Sequence, residues 1–108
     1  ESKAKRGKLE VIVEGINGPE KGFRFSDNAL LLKVGREHGN DIILQKDKEV
    51  AKYHAKIFLE GDHYVIQDLH TSTGTYLNKI KVQKHALASN DIIRIGQSVF
   101  KYTEENYG

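Results

Sequence analysis

Three short polar stretches carry the side chains best suited to chemistry: Gly35-Arg36, Ala51-Lys52-Tyr53-His54 and Thr71-Ser72-Thr73-Gly74. A guanidinium, an ammonium and a hydroxyl converging from such loops would make an anion site. Arginine and lysine supply charge-assisted hydrogen bonds, while hydroxyls and loop N–H groups complete the shell. Other chemistries fit less well. The five histidines are scattered, none is spaced with another as a zinc pair, and there is no cysteine. Ser72 and His54 could be a nucleophile and its base, but no nucleophile-elbow sequence surrounds the serine. Hydroxyls in turns usually bond local backbone instead. Gly15, Gly18 and Gly22 follow neither the dinucleotide fingerprint nor the phosphate-loop pattern. No enzymatic activity, cofactor or metal is therefore expected.

Loops of this kind need a rigid frame to bring them together. The chain has 108 residues, one domain by length, and 38% of them are hydrophobic. No run approaches the roughly 20 apolar residues of a transmembrane helix, so no membrane partner is expected. The absence of cysteine excludes disulfides and fits a reducing compartment. Lysine and arginine number 17 against 15 acidic residues, for a net charge of +2, too mild to imply nucleic acid. A polyanion-binding surface built from Lys3, Lys5, Arg6, Lys79, Lys81 and Lys84 is the weakest alternative.

The hydrophobic rhythm is that of strands. Leu9, Val11 and Val13 alternate with polar positions, and Phe23-Arg24-Phe25, Ala29 to Val34 and Asp41 to Leu44 are further short runs. Ala55 to Leu59 and His63 to Asp68 predict a hairpin across Glu60-Gly61-Asp62. Thr75 to Leu77 and Ile80 to Val82 flank Asn78-Lys79, and a closing hairpin turns at Gly96-Gln97. Gln83 to Asn90 is the one place for a helical turn. About ten such runs without a long amphipathic helix predict an all-β sandwich or barrel. Residues 1–7 read as a flexible basic tail, 8–103 as the domain and 104–108 as a C-terminal tail.

From Leu9 to Tyr102 the sequence resembles the forkhead-associated (FHA) domain. The motifs are Gly35-Arg36, Asn40-Asp41-Ile42-Ile43-Leu44, His54-Ala55 followed by Ile57, Asp68-Leu69, Gly74-Thr75-Tyr76-Leu77-Asn78 and Asn90 to Gly96. Their order and spacing carry the likeness. The resemblance implies a sandwich of about eleven strands whose loops, clustered at one end, bind a phosphothreonine peptide without catalysis. It implies phosphate binding by Arg36, Lys52 and Ser72, peptide contacts by Thr71, Thr73 and Asn78, and structural roles for Gly35, His54 and Gly74. It also implies an intracellular module, nuclear or cytoplasmic, of the kind found in signalling, DNA-damage response or bacterial regulation.

Two positions depart from the family's pattern. Ala51 stands where serine is usual, and Thr73 where an asparagine usually holds the peptide backbone. These departures imply an attenuated site. The alternative is a phosphate-independent interaction or homodimerisation module that keeps the fold.

Overall fold

The structure, a computed structural model, describes residues 9–106. The basic tail expected over 1–7 lies outside them. Among these residues, eleven strands form two sheets. Six belong to the first: β1 (Leu9–Asn17), β2 (Arg24–Asp27), β7 (Thr75–Leu77), β8 (Ile80–Val82), β10 (Asp91–Ile95) and β11 (Ser98–Asn106). They lie in the order β2-β1-β11-β10-β7-β8. The second sheet is ordered β4-β3-β5-β6-β9, from β3 (Leu31–Gly35), β4 (Ile42–Ile43), β5 (Ala55–Glu60), β6 (His63–Asp68) and β9 (Lys84–Ala86). Among the described residues, only β3 and β4 pair in parallel.

The alternation in the sequence becomes the inner lining of the two sheets. Val11 and Val13 from β1 meet Leu32, Val34, Ile57 and Ile66 from the other sheet, with Ile93, Ile95 and Phe100 completing the core. Each such side chain, fully buried, contributes about 1.5–3 kcal/mol relative to exposure. Phe23, on the loop between β1 and β2, packs edge-on against Phe100 at 6.1 Å. The residual gap in this core is about 10 Å³ and lined only by apolar residues. Such a gap stays dry. Among the described residues, this core therefore offers no room for a ligand.

Two boundaries differ from the sequence reading. The stretch Gln83 to Asn90 holds a strand, β9, rather than a helical turn. The β9 strand pairs with β6 from Gln67↔Lys84 to Val65↔Ala86 and satisfies an edge that would otherwise be bare. Leu87 anchors its end, buried and donating its N–H to Tyr64 O. The chain also stays in the sheet beyond Thr103, because β11 continues to Asn106, opposite Leu9. Glu104 to Asn106 are thus strand residues, not tail.

Candidate anion-binding site at the apical loops

At one end of the sandwich, five connections lie together: β1–β2, β3–β4, β4–β5, β6–β7 and the β10–β11 turn. Buried carboxylates bind several of them to one another. Asp47 is 1% exposed and accepts hydrogen bonds from Ser98 Oγ (2.7 Å), Gln97 N (2.8 Å) and Glu49 N (3.0 Å). Glu20, equally enclosed, accepts from Lys46 N at 2.8 Å. The long β4–β5 loop is thereby fixed to both neighbours.

Arg36 leaves β3 at the centre of this end. Its N–H donates to Ala51 O (3.0 Å) and its Nε to Val50 O (2.9 Å). The guanidinium is half-buried, and its two terminal nitrogens have no partner among the described residues. Gly35 makes that approach feasible. A Cβ there would stand 2.2 Å from Lys52 O, a backbone atom with no freedom to retreat. Asn40 clasps the same crossing, donating from Nδ2 to Glu37 O (2.9 Å) and Lys52 O (2.8 Å).

His54 is wholly buried and joins two loops. Its Nδ1 accepts from Ala51 N at 3.0 Å, so the proton of the neutral ring is on Nε2. Nε2 donates to Gly74 O at 2.9 Å. Asp68, at the end of β6, organises the next turn. It accepts from Thr71 N (2.9 Å), Thr71 Oγ1 (2.7 Å) and Thr75 Oγ1 (2.8 Å). Burial pushes its carboxyl group upward, but the bonds from Thr71 and Thr75 outweigh that and hold it below the ordinary 3.8. Thr71 Oγ1 also accepts from Gly74 N (2.9 Å), which closes the turn.

The structure brings most of the expected residues to this end and separates one. Lys52 and Ser72 are exposed there, and neither side chain has a partner among the described residues. Thr73 is exposed and donates to Glu49 O at 3.2 Å. Thr71 is internally engaged, through its N–H and Oγ1 bonds to Asp68 and the bond its Oγ1 accepts from Gly74 N. Asn78 lies at the opposite end of β7 from Gly74. Its side chain donates to Asp91 Oδ1 (3.0 Å) and accepts from Ile92 N (2.9 Å), bracing the β7–β8 turn against β10. Sequence reasoning gave no roles to Asn40, Asp47, Asp68 or Thr75. The signal for Asn40 and Asp68 was their place in the motifs, whereas nothing local marks Asp47.

The fold is a two-sheet sandwich with polar loops gathered at one end, and comparison with known proteins gives its class. The FHA domain family model matches residues 32–96, more than half of the chain. The chain belongs to the FHA domain family. It is 35% identical over 80 residues to the glycogen accumulation regulator GarA of Mycolicibacterium smegmatis, covering 74% of this chain and 50% of that protein. With the probable E3 ubiquitin-protein ligase dma1 of Schizosaccharomyces pombe it shares 32% over 93 residues, 74% of this chain and 35% of the other. The chain thus spans about half the length of GarA and less of dma1. Among solved structures, Mycobacterium tuberculosis EmbR in complex with a low-affinity phosphopeptide aligns with a TM-score of 0.78 at 29% identity, over 87% of this chain and 24% of EmbR. The kinase-interacting FHA domain of an Arabidopsis kinase-associated protein phosphatase aligns with a TM-score of 0.82 at 25% identity, over 94% of this chain and 98% of that one.

Proposed function

We propose that the apical loops bind a phosphothreonine-bearing segment of a partner protein, without catalysis. The observation that carries this reading is Arg36. Its Nε is spent on Val50 O, which fixes the plane of the guanidinium and leaves the terminal fork for a ligand. A phosphate near −2 charge with three acceptor oxygens suits that fork. Lys52 adds charge and Ser72 a hydroxyl, both exposed at the same end. The phosphopeptide complex of EmbR supports the choice of ligand.

Position 51 argues for a weak grip. Ala51 has no hydroxyl, and its N–H is already given to His54. A hydrogen bond to a charged group contributes about 1.5–3 kcal/mol, so its loss costs one to two decades of affinity. Thr73 lacks an amide's combined donor and acceptor, and its hydroxyl is turned to Glu49 O.

The test is titration of a phosphothreonine peptide library, with unphosphorylated controls, against wild type and Arg36→Ala. Binding that requires both phosphate and Arg36 supports the proposal. Absence of any phosphopeptide binding, or indifference to Arg36→Ala, sinks it. A second reading, homodimerisation through a sheet face, draws on Leu31, which is 49% exposed beside Phe58 on the outer side of the five-stranded sheet. A concentration-dependent dimer in sedimentation, insensitive to Arg36→Ala, is its signature.

A further inference from the structure

The outer face of the five-stranded sheet carries two parallel rows of side chains. Cross-strand pairing aligns Leu31, Phe58, Val65 and Ala86 in one row, and Lys33, Lys56, Gln67 and Lys84 in the other. Alternation fixes their direction, because the intervening Leu32, Ile57 and Ile66 belong to the core between the sheets. The first row is wholly apolar. Leu31 is 49% exposed, Phe58 is half-buried, and Val65, although buried, stands outside the inter-sheet core. An open groove of about 380 Å³, lined by Val65 and Ala86 with Glu60, His63 and Lys84, continues this row at the β6–β9 edge.

The second row holds three lysines and no acid. Lys33 and Lys56 are direct cross-strand neighbours, an arrangement that destabilises a sheet when the charges are alike. Neither has a carboxylate partner among the described residues. The Asp41 carboxylate does reach Lys33, but it bonds the backbone N–H, at 2.8 Å. Lys84 is paired with Glu60 at 3.0 Å. The ammonium groups of Lys56 and Lys84 lie 4.9 and 5.7 Å from the centre of the Phe58 ring, so their charge is held over the apolar row. On the outer face of the six-stranded sheet, by contrast, Glu14 stands between Arg24 and Lys101. A repulsion kept within one row, with no acid there to relieve it, calls for an anion from outside.

We infer that this face docks an acidic amphipathic segment of a partner protein, independently of phosphate and of the apical loops. Strands lie about 4.8 Å apart, so the lysine row runs roughly 14 Å across the sheet, with the apolar row about 7 Å away. A helix laid across the strands covers that length in about ten residues, and its side chains three and four apart recur every 5–6 Å or so. A glutamate stripe then meets the lysines while a neighbouring apolar stripe meets Leu31, Phe58 and Val65. A second copy fits less well, because an isologous contact brings the same lysine row to both sides. A membrane surface also fits less well. Insertion by about 5–10 Å is needed there, and the Phe58 ring is half-buried beneath two ammonium groups. The docking face goes beyond the phosphothreonine reading and does not rest on it.

The probe is an unphosphorylated, helix-forming peptide of about twelve residues with a leucine stripe beside a glutamate stripe. It is titrated into the isotope-labelled protein and followed by amide chemical shifts. The largest shifts should fall on β3, β5, β6 and β9. Lys33→Glu combined with Lys56→Glu should weaken binding about tenfold, whereas Arg36→Ala should leave it unchanged. Serine in place of the leucine stripe, or added salt, should each weaken it as well. Absence of binding, or shifts confined to the apical loops and abolished by Arg36→Ala, overturns the inference. So does binding to anionic lipid vesicles with no response to the peptide, which makes the face a membrane surface. A sedimenting dimer that buries the same strands and excludes the peptide overturns it too, since the occupant is then a second copy. Phosphothreonine binding is decided separately, by the phosphopeptide titration.

Discussion

His54 Nε2 lies 2.9 Å from the carbonyl oxygen of Gly74, and that bond spans two loops separated by a strand hairpin. With the bond from Ala51 N to Nδ1, the imidazole is the rivet between the loop bearing Lys52 and the turn bearing Ser72. A side chain of the same size without ring nitrogens would leave two buried backbone groups unpaired, each costing about 1–3 kcal/mol. His54→Phe should therefore destabilise the domain by about 2–6 kcal/mol. Urea titration should show a lower midpoint at an unchanged slope.

Arg36→Lys should behave as a loss of function rather than a conservative change. Lysine keeps the charge but has neither the Nε that bonds Val50 O nor a planar fork. Phosphopeptide affinity by calorimetry should fall at least about tenfold, while the folding penalty of the single lost bond stays at about 0.5–1.5 kcal/mol.

Ala51→Ser restores a hydroxyl at the loop edge. Phosphopeptide binding should tighten by about one to two decades, measured against the same peptide as wild type. An unchanged affinity would mean that this loop edge does not face the phosphate.

Asp68 predicts acid sensitivity. Its carboxyl group titrates below the ordinary 3.8 in the folded protein, so the unfolded chain takes up the proton first. Its stabilisation is fully present above that ordinary value and is lost as pH falls through it towards the lower folded value. Melting temperature should drop below about pH 4, and Asp68→Asn should be less stable at pH 7 with a shallower acid limb.

The β7–β8 turn contains Asn78 at φ +50° and Lys79 at φ +74°. Two positive angles in a two-residue hairpin favour asparagine followed by glycine, and a side chain pays a steric penalty of about 1 kcal/mol in the second place. Lys79→Gly should raise stability by about that amount, or about 5 °C in a melt.

The strands with strong alternation, such as Leu9 to Val13 and the hairpin turning at Gly61, were legible because burial imposes a period of two. β9 was not. Lys84, His85 and Ala86 are all exposed, so the strand owes its existence to the open edge of β6 rather than to its own pattern. Arg36, Lys52 and Ser72 were placed in loops by their surroundings, and the fold does bring those loops to one end. Asn78 fell within a motif yet braces β10 at the other end. Bonds such as that from Ser98 Oγ to Asp47 join residues 51 positions apart, and no local window contains both. Polar networks of this kind depend on tertiary closeness, which periodicity does not encode.

Leu9 and Asn106, cross-strand partners in β1 and β11, sit at the pole away from the apical loops. With nine residues in β1, that pole is roughly 25 Å from the loops. There the start of β1 and the end of β11 lie side by side. Dyes or surface linkers attached at that pole would leave the apical loops open to solution.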